Sequence, residues 1–194
     1  MSRAVLLVPG WGDGSRSLRH LRSYLISTGY SDESVHAFDF RSPFGSNIAH
    51  ARELAAFIDA LAPAAEPSID IVAHSMGGLA VRYLLGHLPA AASRIRRVIS
   101  LGSPHAGTFW AWLGWGEGAR EMRPASDFLT ALNRAGTAGA DLVSLRAPFD
   151  LRILPGTSSI LAGARNYQLR SIGHRDLLRR KGILERVRQL LEEP

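Results

Sequence analysis

Cysteine is absent from the 194-residue chain. That excludes disulfides and thiolate-ligated metal sites, and it fits a reducing or an oxidising compartment equally well. No apolar run approaches the roughly 20 residues needed to cross a bilayer. The apolar stretch near the start, Ala4–Val8, is only five residues long and runs into Pro9-Gly-Trp-Gly12. It is too short for a signal-peptide core and has no small-residue cleavage site after it. The expectation is therefore a cytoplasmic protein, or a secreted one from which a leader has been removed. Lysine is nearly missing as well: 22 of the 23 basic residues are arginine. Repeats, low-complexity tracts and linkers are also lacking, so residues 1–194 read as one domain with room for a three-layer core.

The hydrophobic fraction, 46%, is that of a globular protein, and the net charge is +6. Arginines gather at Arg94, Arg96 and Arg97 and again at Arg175, Arg179 and Arg180. They are otherwise scattered, and no nucleic-acid-binding motif accompanies them. The basic residues therefore read as solvated surface, with no nucleic-acid partner expected.

Strands and helices alternate along the chain. Ala4–Val8 reads as a strand, and Ser15–Thr28 as a helix with Leu18, Leu21, Leu25 and Ile26 at helical spacing. Val35–Phe40 follows as a strand, then a helix from Ser46/Asn47 to Leu61 that the segment Pro63 to Pro67 ends. Ile69–Ala73 is a strand, residues 79 to about 87 a helix, and Arg97–Leu101 a strand. Beyond Gly102 the pattern loosens: a helix is predicted between Arg123 and Ala135, strands at Leu142–Arg146 and Tyr167–Ile172, and a closing helix at Leu177–Leu191. Such alternation predicts an α/β architecture, a mainly parallel sheet with helices on both faces.

The strand at Ile69–Ala73 breaks sharply at His74-Ser75-Met76-Gly77-Gly78, and a helix follows at once. A serine on a tight strand-to-helix turn is the geometry of a nucleophile elbow. The small residues Ala73, Gly77 and Gly78 suit such a turn, and the bland alternative is a glycine-rich packing junction. Ala73 stands where the usual Gly-x-Ser-x-Gly pattern has its first glycine.

A serine hydroxyl needs a base to accept its proton, and the base needs a carboxylate to orient it. In chain order these should follow the serine as acid, then histidine. His174 lies after the last predicted strand, in Ser171-Ile-Gly-His-Arg-Asp176, and is the candidate base. His105 is the rival, but it precedes every acid of the required order and is assigned to the pocket wall. His74 adjoins Ser75 and is expected to point elsewhere. Asp150, just past the strand Leu142–Arg146, is the candidate acid. Asp141 precedes that strand and belongs to the wrong end of the sheet, and Asp176 is read as a helix cap. Two backbone N–H groups should stabilise the oxyanion: that of Met76, directly after the serine, and that of Trp11 in the loop after the first strand. Pro9 has no N–H to offer. The aromatic segment Phe109-Trp-Ala-Trp-Leu-Gly-Trp115 is a candidate acyl-binding wall or short lid, with Phe109, Trp110 and Trp112 named for substrate contact; ordinary packing beneath a loop is the alternative. No His-x-Glu cluster or calcium-loop spacing is present, so neither metal nor cofactor is expected.

With these residues in place, the chain resembles the small bacterial lipases and esterases of the α/β-hydrolase superfamily, above all the compact lidless lipases of bacilli. The similarity spans nearly the whole sequence. Val72-Ala-His-Ser-Met-Gly-Gly78 is similar to that family's alanine-variant elbow, Val8-Pro-Gly-Trp-Gly12 to its oxyanion loop, and Ala37-Phe-Asp-Phe40 to its second strand. Gly163-Ala-Arg-Asn166 with Gly173-His174 resembles the stretch that carries its histidine. The resemblance implies a minimal α/β-hydrolase fold of about six strands, the triad Ser75, Asp150 and His174, and an oxyanion hole of the Trp11 and Met76 amides. Two departures stand out. The oxyanion loop begins Pro9-Gly10 where the family usually has His-Gly. Ser103-Pro-His-Ala-Gly-Thr108 and the segment Phe109 to Asn133 look closer to larger bacterial lipases, some of which carry a structural calcium whose ligands have no match here.

The function expected is a serine carboxyl-ester hydrolase acting through an acyl-enzyme on a small-molecule or lipid ester. It is expected to be monomeric and without stable membrane insertion. The alternatives are a thioesterase or acyltransferase using the same triad, with the positive surface attracting anionic thioesters such as acyl-CoA, and a non-catalytic binding module.

Overall fold

The layering of the molecule follows from its first strand. Val5 and Leu7 of β1 (Ala4–Val8) join one buried cluster, and Leu6 and Val8 join another on the opposite side, as the two-residue period of a strand requires. Both faces of the sheet must therefore be covered. The computed structural model describes residues 3–61, 69–169 and 173–194.

After β1 come a 3-10 turn (Ser15–Leu18), α1 (Arg19–Ser27), β2 (Val35–Ala37), α2 (Asn47–Leu61), β3 (Ile69–His74), α3 (Gly77–His87), the short α4 (Pro89–Ala92) and β4 (Ile95–Leu101). The second half holds α5 (Gly116–Glu121), α6 (Asp127–Leu132), β5 (Asp141–Arg146), β6 (Arg165–Gln168) and α7 (Lys181–Glu192). The six strands run parallel in the order β2-β1-β3-β4-β5-β6. Leu54 and Ile58 of α2 and Val81 and Leu84 of α3 pack on one face. Leu21 and Leu25 of α1 and Leu184, Val187 and Leu190 of α7 cover the other. Burying one such side chain contributes about 1.5–3 kcal/mol, so these two layers carry most of the driving force for folding.

Several boundaries differ from the periodicity. The second strand ends at Ala37, not Phe40. The Asp39 carboxylate accepts the Ser15 N–H at 2.6 Å and draws the chain toward the loop after β1, while Phe38 and Phe40 pack edge to face, 5.1 Å apart. The helix expected between Arg123 and Ala135 is only Asp127–Leu132. Ala125 has a positive φ of 59°, which no right-handed helix tolerates, and the Ser126 hydroxyl then caps the helix by accepting the Leu129 N–H at 3.2 Å. The closing helix splits into a 3-10 turn (His174–Leu178) and α7, with extended backbone at Arg180 between them. The fourth strand starts two residues early, at Ile95. The last strand begins at Arg165, also earlier than expected. Residues 170–172 of the predicted strand, and the Pro63–Pro67 stop, lie outside the described residues.

A parallel sheet gathers the loops after its strands along one edge. The backbone ladder continues into them: the Ser75 N–H donates to Leu101 O and the Gly102 N–H to Leu145 O, both at 2.9 Å. Ser75, Gly102, Asp150 and His174 thus follow β3, β4, β5 and β6 along one rim.

Candidate active site

β3 is buried along its whole length, and the chain reverses directly after it. Ser75 takes φ +53°, a left-handed conformation that costs a non-glycine residue about 1–3 kcal/mol. Two neighbours must be glycine for this turn to close. A Cβ on Gly77 would overlap the Pro9 carbonyl oxygen and stand 2.9 Å from Val8 Cγ1. One on Gly10 would stand 2.9 Å from Ser75 Cβ. The loop after β1 and the elbow are therefore packed backbone to backbone. This sets residues 9–12 beside Ser75.

Asp150 is buried, and both its carboxylate oxygens are engaged. Oδ1 accepts the Arg152 and Ile153 N–H groups at 2.9 and 3.2 Å. Oδ2 lies 2.6 Å from His174 Nδ1. A carboxylate oxygen accepts, so Nδ1 is the donor of this pair. Gly102, at φ +58°, makes room for the pair: a Cβ there would come within 2.7 Å of Leu177 Cδ1, 3.1 Å of Asp150 Oδ2 and 3.3 Å of His174 Cε1.

Ser75 and His174 line one cleft of about 350 Å³. Its apolar wall includes Trp11, Trp110, Leu113, Trp115, Met122 and Ile153. Trp11 stacks edge to face on both Phe44 and Trp115, at 4.9 Å each, and its Nε1–H donates to Trp115 O at 3.3 Å. The Met76 side chain is fully buried beneath this wall. Among the described residues, neither the Trp11 nor the Met76 N–H has a backbone acceptor.

Thr108 ties the two loops at the cleft mouth together. Its hydroxyl donates to Arg152 O at 2.9 Å and accepts the Leu154 N–H at 3.0 Å. The aromatic segment and the loop bearing Asp150 are thus held as one unit.

The structure brings Ser75, Asp150, His174, Trp11, Met76 and Trp110 to this rim. Three residues named for substrate contact are corrected. His105 is buried away from the cleft, its Nε2 3.1 Å from Ser100 Oγ, and it lines a separate cavity with Arg82 and Asn133. Phe109 and Trp112 do not line the cleft; the Trp112 ring instead lies under the Arg123 guanidinium, 4.4 Å from its centre. A 3-10 turn over Phe109–Trp112 swings successive rings in different directions, so only Trp110 of the three faces inward. Trp115, in the aromatic segment expected to form the wall, does line it; Met122 and Ile153 carry no sequence signal for it, because no periodicity marks a wall assembled from three loops.

His74 does not point elsewhere either. Its ring packs 4.5 Å from that of His174, and its Nε2–H donates to His174 O at 3.3 Å. Burial above all, with a smaller electrostatic effect from a protonated His174, holds its pKa well below the usual histidine value, so it stays neutral. The rival acids lie apart. Asp141 is at the opposite edge of the sheet, bridging Arg97 at 2.5 Å and Arg165 at 2.7 Å. Asp176 pairs with Arg179 at 3.2 Å.

A parallel 2-1-3-4-5-6 sheet, with a serine on a strained turn after β3 and a histidine–carboxylate pair after the last strands, defines the α/β-hydrolase fold class. Solved structures share the fold. Bacillus licheniformis lipase BlEst2 in its mature form superposes with a TM-score of 0.80 at 16% identity, over 98% of this chain and 92% of that one. Aspergillus fumigatus lipase B gives 0.79 at 18% identity, over 91% of this chain and 49% of that one, so the chain spans about half of the Aspergillus protein. Paleococcus ferrophilus monoacylglycerol lipase gives 0.68 at 15% identity, over 99% and 95%. The chain belongs to the family described as domain of unknown function DUF7379, whose model matches residues 3–112. That stretch contains Ser75 but neither Asp150 nor His174. No helix among the described residues is long and apolar enough to cross a membrane.

Proposed function

We propose that the protein is a serine hydrolase of carboxylic esters. The observation that carries this reading is the 2.6 Å pair between His174 Nδ1 and Asp150 Oδ2, on the rim of the cleft that also holds Ser75. With Nδ1 protonated, His174 Nε2 is the base. It takes the proton as Ser75 Oγ bonds to the ester carbonyl carbon, and Asp150 stabilises the imidazolium that forms. The Met76 and Trp11 amides face the developing oxyanion, worth about 2.7–4 kcal/mol for each donor. The C–O bond then breaks and the departing alcohol takes the proton from His174. Water, deprotonated by the same nitrogen, attacks the acyl-serine and frees the acid. The apolar wall of Trp110, Leu113 and Trp115 suits the acyl chain.

The fold neighbours, which include lipases, support a hydrolase; the ester class and the roles of the residues are this proposal's own. The test is turnover of p-nitrophenyl butyrate and labelling by a fluorophosphonate. Wild-type protein should do both, and Ser75→Ala neither. Equal turnover by the two proteins would overturn the mechanism, and a folded wild type that takes no label would favour a binding module.

A further inference from the structure

Ser75 sits in a cleft with an apolar wall, but the cleft does not end in apolar surface everywhere. Asp13 and Arg175 line it and also line a second, open groove of about 400 Å³. Arg16, Arg19, His20 and Arg179 line that groove as well. All five basic side chains are exposed, and they come from the 3-10 turn at Ser15–Leu18, the start of α1, and the 3-10 turn at His174–Leu178 with the residue that follows it. Acids compensate only some of them. Asp13 pairs with Arg175 at 2.9 Å, Asp176 pairs with Arg179 and Arg180, and the Asp39 carboxylate is held by the Ser15 N–H. Among the described residues, Arg16 and Arg19 make no ion pair.

We propose that this groove receives a phosphate group carried on the alcohol or thiol half of the substrate. The inference rests on the ester-hydrolase reading and names its substrate class: an acyl chain on a phosphate-bearing leaving group. The two halves of such an amphiphile match the two ends of the joined cavities. The apolar wall takes the acyl chain, Ser75 and His174 stand at the carbonyl, and the planar guanidinium groups bind phosphate oxygens by paired, charge-assisted hydrogen bonds. Ser75 Oγ bonds to the acyl carbon as the C–O or C–S bond breaks, and His174 returns the proton to the departing oxygen or sulfur. The phosphate keeps its charge throughout and stays on the arginines until release. A groove in which five basic side chains face the one carboxylate of Asp13 also steers an anion toward it, an effect that salt removes.

The test compares 1-butyrylglycerol, its 3-phosphate and butyryl-CoA on the wild type, on Arg16→Glu/Arg19→Glu and on Arg52→Glu/Arg134→Glu. The last pair makes the same change in net charge at exposed sites outside the groove. In the wild type, kcat/KM for at least one phosphate-bearing substrate should exceed that for 1-butyrylglycerol tenfold or more at low salt, with the advantage shrinking in 0.5 M NaCl. The ratio should fall at least tenfold in Arg16→Glu/Arg19→Glu and hold in Arg52→Glu/Arg134→Glu. A preference for the glycerol phosphate points to a phospholipid-like substrate, and one for the thioester points to a coenzyme A conjugate. No preference for either, or an equal fall in both charge-reversed proteins, overturns the proposal. Calorimetric binding of glycerol 3-phosphate and coenzyme A to Ser75→Ala reads the groove without turnover. There Arg16→Glu/Arg19→Glu should weaken Kd at least tenfold, and unchanged binding overturns the groove whatever the enzyme assay gives.

Discussion

His74 and His174 lie ring against ring, 4.5 Å between centres, with the His74 Nε2–H bonded to the His174 carbonyl at 3.3 Å. The residue before Ser75 therefore supports the backbone of His174. Because burial keeps His74 neutral, this support persists through the neutral pH range. His74→Ala should lower kcat for p-nitrophenyl butyrate about tenfold or more with little change in KM, the signature of a mispositioned base rather than lost binding. His74→Gln, which keeps a side-chain donor, should recover part of it. A variant that changes KM alone would refute the positioning role.

Asp150 and Asp141 should separate chemistry from stability. Asp150→Asn removes the charge that fixes the His174 tautomer, and kcat should fall about 10³–10⁴-fold. Asp141 is held below the usual carboxylate range because, although burial opposes it, the hydrogen bonds from Arg165 and Arg97 prevail. Asp141→Asn leaves the buried Arg97 without its counter-ion and should cost about 1–3 kcal/mol, discounted because Asp141 is partly exposed. Its kcat should be unchanged. Urea unfolding and steady-state kinetics on both variants check the contrast.

Gly102→Ala should damage catalysis out of proportion to stability. Its Cβ would press on Leu177, on the Asp150 carboxylate and on the His174 ring at 2.7–3.3 Å, from a backbone at φ +58°. A loss of about 1–3 kcal/mol in unfolding free energy is expected from the φ alone, with kcat reduced at least 100-fold. Near-normal turnover would mean that the acid–base pair tolerates displacement.

Trp115→Ala should alter chain-length preference. Trp115 is exposed but closes the aromatic wall against Trp11 and Phe44. Removing it should raise KM several-fold for p-nitrophenyl octanoate and less for the acetate. Its effect on melting temperature should be small, because the ring is 63% exposed.

His105 makes the fold acid-sensitive. Burial, then the Arg82 charge, lowers its pKa to about 3, while the unfolded chain titrates near 6.5. The unfolded state thus binds the extra proton first as pH falls. The contribution is fully present above about pH 6.5 and is lost toward pH 3 at up to about 1.4 kcal/mol per pH unit. Calorimetry of wild type and His105→Asn across pH 4–7 should show a shallower decline for the variant.

The elbow was legible because its local chemistry is self-sufficient. A fully buried strand, a serine and two glycines within five residues allow few conformations, and the order Ser75, Asp150, His174 matches the order in which parallel strands deliver loops to one edge. Two neighbouring decisions were not legible. The sequence neighbour of Ser75, His74, turned out to contact a residue 100 positions away. The aromatic segment presented several rings without saying which would face the cleft, and the 3-10 turn there selected Trp110 over Phe109 and Trp112.

Sequence by itself determined the alternation of strands and helices, the buried faces and the tight turn that carries Ser75, because each depends on short-range pattern and backbone sterics. Tertiary structure alone decided that Gly102 vacates the space filled by Asp150 and His174, that His105 lies in its own cavity, and that Trp115, Met122 and Ile153 share a wall. It alone joined the arginines of residues 16–19 to those of 175–179 beside the cleft. These are relations between segments far apart in the chain, and they are fixed by how the layers pack rather than by any local preference.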